Sequence, residues 1–306
     1  MSGGQLSWAV VVLSWNDREN TLRCLRSLRE LETAVSVICV DNGSSDGSAD
    51  AIRSAHPEVR LIENATNLGF AGGANAGIRN AIEDGTDWVV LLNNDAVPAA
   101  HAIDAFDQAA REHPAAGVLS GKLYMGDPPS QRLWFAGARA HPGLGYAGKP
   151  RGWGKPDGER YDRLEPTGRA AGAFMAVAAG VVERVGGFDE GLFAYVEDVD
   201  YSVRVRQAGF EVLFVPEAKA WHRVSASTGG ELSSTHSVYY GCRNSILVAE
   251  RHRPLPFPLR SARRLFILAV FAAHGLRRSN REEALAAVWD GYRDAGRGRR
   301  GEWSRS

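Results

Sequence analysis

The stretch that most constrains this chain is Trp88-Val89-Val90-Leu91-Leu92-Asn93-Asn94-Asp95. An apolar run passes without a break into two amides and a carboxylate. A half-exposed strand would alternate apolar and polar residues. An unbroken run belongs to a strand covered on both faces. Polar side chains at the carboxyl end of such a strand fall in the crevice where α/β sheets take their ligands. Asn and Asp also close strands for backbone reasons alone, so a plain turn satisfies the run equally well. Asp95 after two amides offers hard oxygen ligands, which suit Mg2+ or Mn2+.

The same pattern recurs along the chain. Trp8 to Leu13, Val35 to Val40, Val59 to Ile62 and a segment near Val118 read as strands. Asn16 with Glu19 opens a helix whose buried stripe is Leu22, Leu25, Leu28 and Leu31. Further helices are predicted over about 48–55 and 98–112, and a small-residue turn over 67–75 leads into one ending at Ile82. Strands alternating with helices predict an α/β fold: a Rossmann-like, mostly parallel sheet sandwiched by helices. The loops after the first, second and fourth strands should converge on one crevice.

Two familiar phosphate cradles are excluded. A dinucleotide-binding turn needs Gly-x-Gly-x-x-Gly after the first strand, and here the turn reads Ser14-Trp15-Asn16-Asp17-Arg18. The Walker-type loop is missing as well. A metal at Asp95 is then the natural counter-charge for a nucleoside diphosphate.

Met125 to Gly168 is rich in Gly and Pro and carries Trp134, Tyr146, Trp153 and Tyr161. It predicts loops and short strands, with aromatics that stack on sugars or pin the loops to the core. Gly172 to Val177 returns to strand, and Val181 to Val185 is a short helix. Between Asp189 and Asp200 lie five acids in twelve residues, Glu197 and Asp198 among them. Val199, Val203 and Arg206 with Gly209 beyond read as a helix starting near Asp198. Acids there also complement a helix dipole, and Asp200 is assigned that structural role.

Taken together, these pieces resemble the family 2 glycosyltransferases with the A-type nucleotide-sugar fold, in their bacterial rhamnosyltransferase-like branch. The resemblance rests on Val12-Leu13-Ser14-Trp15-Asn16, Val40-Asp41-Asn42-Gly43-Ser44-Ser45-Asp46-Gly47, the turn from Asn67 to Asn75, and Leu91 to Asp95. Gly186 to Glu190, Glu197-Asp198-Val199-Asp200 and Trp221-His222 complete it over roughly residues 8–250. It implies a nucleotide-sugar site made of Ser14, Trp15, Asn16, Asp41, Asn42, Gly73, Asn75, Asn93 and Asn94. Within that site Trp15 faces the nucleobase and Asp41 contacts base or ribose. It implies Asp95 and His222 as contacts to Mg2+ or Mn2+. Asn93 stands where the family's Asp-x-Asp motif begins with Asp, so it offers an oxygen without a charge. Asp198 matches the general base, with Glu197 beside it. One base and one metal-held diphosphate imply single displacement with inversion. The implied donor is dTDP-rhamnose, with a UDP-sugar next. The implied acceptor is a glycan, a lipid-linked intermediate or a natural product.

Lys+Arg and Asp+Glu balance at 36 each over 306 residues, but not locally. Residues 251–306 hold 13 Arg, no Lys and 5 acids, a net +8. This segment is expected to be a basic, amphipathic helical extension beyond a catalytic domain of residues 1–250. Leu265 to Ala273 is apolar with basic flanks. It is shorter than the ~20 residues that span a bilayer and suits a membrane surface, or the core or a second subunit of a homodimer. Gly296 to Ser306 reads as disordered. Cys24, Cys39 and Cys242 fit no disulfide framework. With no signal peptide visible, a cytoplasmic protein is expected, peripheral on the inner face of the membrane. No nucleic-acid partner is expected. The residues alone leave open a sugar-1-phosphate nucleotidyltransferase or a non-catalytic sugar-nucleotide or membrane-binding module.

Overall fold

The first half of the chain alternates as its apolar runs require. β1 (Trp8–Ser14), α1 (Arg18–Leu28), β2 (Ser36–Asp41), α2 (Ser48–Ala55), β3 (Arg60–Glu63), α3 (Gly69–Glu83) and β4 (Trp88–Asn93) follow in order. Next come β5 (Ala96–Pro98), α4 (Ala102–Glu112), β6 (Ala116–Met125), β7 (Leu133–Phe135), β8 (Glu165–Pro166), β9 (Phe174–Ala178) and α5 (Ala179–Val185). α6 (Glu197–Gln207), β10 (Glu211–His222), α7 (Thr235–His252), α8 (Phe257–Leu276) and α9 (Arg281–Gly296) complete the chain. The computed structural model describes residues 5–139, 150–223 and 235–304; Tyr146 lies outside them.

The strand order is β3-β2-β1-β4-β9-β6-β10-β5. β3, β2, β1 and β4 pair in parallel, and so do β6 and β10. β9 enters antiparallel between β4 and β6, so the α/β sheet is parallel on one side and mixed on the other. The unbroken apolar runs have a clear cause. Val10, Val12, Val90 and Leu92 enter one core, while Ala9, Val11, Val89 and Leu91 enter the core on the opposite face. Side chains alternate across a strand, so a sheet covered on both sides needs apolar residues at every position.

Two elements differ from expectation. The small-residue segment after Leu68 is already helix, since α3 begins at Gly69. A Cβ at Gly73 would lie 2.3 Å from Leu13 Cδ1, and one at Gly77 would lie 2.2 Å from Val11 Cγ1. Glycine lets α3 lie directly on β1, and that packing overrides its poor helix propensity. β10 is a twelve-residue strand that the sequence hides behind Pro216, Glu217 and Lys219. Its register with β6 shifts between Val215 and Lys219, a bulge that accommodates the proline.

α7, α8 and α9 share a third core around Tyr239, Tyr240, Ile246, Ile267 and Val288. The Arg-rich end, expected to be disordered, docks on this core as far as it is described. Trp303 stacks on Tyr239 with ring centroids 4.4 Å apart, and its backbone N–H donates to Tyr240 Oη at 2.8 Å. Composition misses this because one aromatic anchor outweighs many exposed arginines. Among the described residues no helix is long and apolar enough to cross a membrane. The three cysteines are free and buried.

Asp200 locks α6 to α7. Its fully buried carboxylate accepts from Arg204 Nε at 2.8 Å, Arg251 Nη1 at 2.9 Å and His252 Nε2 at 2.8 Å. Burial alone would raise its pKa. The hydrogen bonds from His252 and Arg204, with the charges of Arg204 and Arg251, reverse that and hold it at about 2. A depressed carboxylate stabilises the fold above its unfolded pKa of ~3.9. That contribution is lost as pH falls toward 2. Asp200→Asn should therefore cost about 2–3 kcal/mol at pH 7. The gap from wild type, read by urea unfolding, should close as pH drops from 4 to about 2.

Candidate active site

The register of three parallel strands sets the crevice. Ser14 ends β1 opposite Asp41 of β2, and Leu13 lies opposite Asn93 of β4. Three polar strand ends therefore stand at one level, at the edge where such sheets bind ligands.

Each loop is tied to its neighbour. Asn16 takes a left-handed φ of 48°. Its backbone N–H donates to Ser44 Oγ at 2.9 Å, and its Oδ1 accepts from the Ser45 N–H at 2.8 Å. The loops after β1 and β2 thus form one wall. On it Trp15 stands 40% exposed, an uncovered aromatic face. Asp41 is buried, and its Oδ2 accepts from the Ser44 N–H at 3.1 Å. Its Oδ1 is also buried and has no hydrogen-bond partner among the described residues. A buried carboxylate oxygen held open in this way suits a ligand hydroxyl or ring N–H.

Other expected contacts are committed to the scaffold. Asn42 Nδ2 donates to Asn67 Oδ1 and to the Gly69 carbonyl, while its Oδ1 accepts from Asn64. Asn75 Nδ2 donates to the Phe188 carbonyl at 2.9 Å and its Oδ1 accepts from the Phe188 N–H at 2.8 Å. Thr21 Oγ1 donates to the Asp17 carbonyl and accepts from Asn94 Nδ2, with Ser14 Oγ 2.8 Å away. Ser14, Asn42 and Asn94 tie the wall to its neighbours, Asn75 ties α3 to the chain at Phe188, and Gly73 is the close approach of α3 to β1 described above.

Asp95 and His222 come from distant parts of the chain. β5 and the end of β10 pair antiparallel, with His222 opposite Ala96. His222 Nε2 lies 2.9 Å from Asp95 Oδ1 and 3.3 Å from Asn93 Nδ2. Both partners of the pair are buried, at 2% and 5% exposed. Trp134 meets the His222 ring edge-on at 5.2 Å. The donor set is one carboxylate and one imidazole, with the Asn93 amide nitrogen beside them. Such a set fits a divalent cation that fills its remaining positions with diphosphate oxygens and water.

Asp198 lies beside the same strand end. The Asn93 N–H donates to the Ala173 carbonyl at 3.0 Å. One residue earlier, the Gly172 N–H donates to Asp198 Oδ2 at 3.3 Å. Asp198 Oδ1 accepts from the Val199 N–H at 2.7 Å, and Arg169 Nη1 stands 3.6 Å from Oδ2. Asp198 sits in the first turn of α6. Glu197 opens that helix with its side chain buried.

The loop before Glu197 is strained. Phe193, Tyr195 and Val196 have φ of 65°, 64° and 71°, which costs non-glycine residues about 1–3 kcal/mol each. Two clamps hold it. The Ala71 N–H of α3 donates to the Phe193 carbonyl at 3.0 Å. From α7, Asn244 Nδ2 lies 2.9, 2.8 and 2.7 Å from the carbonyls of Leu192, Ala194 and Tyr195. Arg243, fully buried, donates to the Leu192 carbonyl at 3.0 Å.

Sequence reading passed over Arg169, Asp17 and Arg223. Arg169 lies in a loop without periodicity. Burial raises the Asp17 carboxyl, Asn20 opposes this, and the charges of Asp95 and Asp46 raise it further. Arg223 grips both oxygens of Asp127 at 2.7 and 2.9 Å, a pairing that only tertiary structure brings about.

Asn244→Ala would take a donor from the carbonyls of Leu192, Ala194 and Tyr195, of which Leu192 keeps Arg243, and should cost about 1–3 kcal/mol. Amide hydrogen exchange should quicken over residues 190–198, with exchange in β1 and β4 following only the global loss.

Comparison with known proteins follows this geometry. The family model described as "Glycosyl transferase family 2" matches residues 9–151. The chain is 32% identical over 278 residues to an N-acetylglucosaminyl-diphospho-decaprenol L-rhamnosyltransferase of Mycobacterium tuberculosis, covering 83% of this chain and 89% of that one. In structure it is similar to a mannosyltransferase from Pyrobaculum calidifontis in complex with GDP-Man and Mn2+. The TM-score is 0.56 and the identity 19%, over 98% of this chain and 77% of that one. It is also similar to GalNAc-T7 with UDP, GalNAc and Mn2+, with a TM-score of 0.59 and 16% identity over 87% of this chain and 55% of that one. The two structural likenesses concern the fold.

Proposed function

Taking as premise that the chain belongs to glycosyl transferase family 2, in its rhamnosyltransferase-like branch, we propose that it moves rhamnose from dTDP-rhamnose to a lipid-linked acceptor. The acceptor would be an N-acetylglucosaminyl unit on a lipid diphosphate, the chemistry named for the mycobacterial relative. The three unpaired cysteines suit a reducing compartment, so the reaction would run at the cytoplasmic face of a membrane.

One observation carries the mechanism. The hydrogen bonds through Ala173 and Gly172 set Asp198 against the strand end that bears Asn93 and leads to Asp95. A base and a diphosphate site on opposite sides of one anomeric carbon are what inversion needs.

Trp15 would stack on the thymine, and the open Oδ1 of Asp41 would accept from the base or ribose. The acceptor hydroxyl lies against Asp198. Its oxygen attacks the anomeric carbon as the bond to the diphosphate oxygen breaks. The hydroxyl proton passes to Asp198 Oδ2, whose hydrogen bond from Gly172 is the longer one. The Val199 N–H keeps the other oxygen in place, so the carboxylate is oriented before substrate arrives. Asn93 Nδ2 lies 3.3 Å from the His222 nitrogen that meets Asp95. When bound, a divalent cation held by Asp95 and His222 would offset the charge growing on the leaving diphosphate.

Asp198→Asn should lower kcat by about 10²–10⁴-fold while leaving the Kd for dTDP-rhamnose within about threefold. Asp95→Ala should abolish the Mn2+-dependent part of donor binding, read by calorimetry with and without the ion. Full turnover by Asp198→Asn would remove the base assignment. Equal donor binding by Asp95→Ala, with or without Mn2+, would remove the metal assignment.

A further inference from the structure

α8 carries an apolar face that no element of the described chain covers. Leu259, Ala262, Leu265, Phe266, Ala269, Ala273 and Leu276 are exposed along its length. They recur at three- and four-residue intervals, the spacing of one helix face. Leu265 is 56% exposed and Phe266 44%. The opposite side of the helix, with Arg263, Ile267 and Gly275, is buried. Over twenty residues the face is about 30 Å long.

Charge identifies what covers it. From Arg251 to Arg281 there are eight arginines and no acid. Arg260 and Arg277, at the two ends of α8, are exposed. A second copy laid antiparallel on this face would set Arg260 against Arg277 with no carboxylate of α8 between them. An anionic lipid surface takes the apolar stripe among its acyl chains and the arginines at its headgroups.

The location fits. Arg278, just past α8, donates to Ser237 Oγ at 3.0 Å, at the start of α7. Phe193 and Tyr195, in the loop that leads into Asp198, pack on the same core as Ile267, Leu268 and Phe271 of α8.

We propose that α8 lies in the surface of an anionic membrane with this face inward, presenting the Asp198 side of the crevice to an acceptor anchored in the same bilayer. The orientation toward acceptor rests on the lipid-linked reading above, while the docking itself does not. α8 lies in the interface plane and does not cross the bilayer.

The test uses the full chain and flotation with phosphatidylcholine vesicles, with and without phosphatidylglycerol. Wild type should float with the phosphatidylglycerol vesicles and release at high salt. The double variant L265E/F266E should bind at least about tenfold more weakly. Its circular dichroism should be unchanged, because both side chains are exposed. R260Q/R277Q should lose only the part of binding that depends on phosphatidylglycerol. Equal flotation of L265E/F266E and wild type would overturn the proposal. So would a wild-type dimer that L265E/F266E converts to monomer without any vesicle binding. A water-soluble, short-chain acceptor separates the two readings. L265E/F266E should turn it over at the wild-type rate while losing transfer to the acceptor in vesicles. A wild type that floats but transfers rhamnose to neither acceptor would sink the function reading and leave the docking intact.

Discussion

The pairing of β1 with β2 and β4 is the constraint on which the crevice depends. Parallel register sets Ser14, Asp41 and Asn93 level at one edge of the sheet. A slip of one residue would turn every side chain of a strand to the other face. Here both faces are apolar cores, so burial alone does not choose the register. The polar side chains at the strand ends are specific to it. Asn42 Nδ2 donates to Asn67 Oδ1 and the Gly69 carbonyl, Asn64 Nδ2 donates to Asn42 Oδ1, and Asn94 Nδ2 donates to Thr21 Oγ1.

A second dependence runs from the C-terminal helices back to the chemistry. The loop from Phe193 to Val196 holds three residues at positive φ, a conformation that persists only when its surroundings over-determine it. Asn244 and Arg243 of α7 supply that determination. α7 is held in turn by Asp200, by the shared core with α8 and α9, and by Trp303 from the last residues of the chain. The basic extension is therefore coupled, through α7, to the loop before Asp198. The face it leaves uncovered on α8 would be the same body's contact with the acceptor's membrane.

Much of this was legible because it is local. The run from Trp88 to Leu92 is apolar at every position since the sheet is covered twice. The polar clusters at Ser14, Asp41 and Asp95 end strands in order. Membership of glycosyl transferase family 2 follows from such local motifs taken together, and it sets aside the nucleotidyltransferase and the non-catalytic readings. What was not legible is relational. β10 is broken by Pro216 and mends itself with a bulge against β6. The end of the chain, polar by composition, is pinned by one tryptophan. Asn42, Asn75 and Asn94 sit in motifs that point to ligands, yet their amide nitrogens donate to other residues of the scaffold.

By itself, the sequence determined the alternation of strands and helices, the two-sided burial of the sheet, and the set of carboxylates and amides at the strand ends. Those follow from side-chain polarity and spacing within a few residues. Only the tertiary structure decided that His222 meets Asp95 across β5 and β10, that Asp198 hangs from Gly172, and that Asn244 restrains the loop before it. Each of these joins residues far apart in the chain. Their contacts depend on strand register and helix docking, which no local pattern encodes.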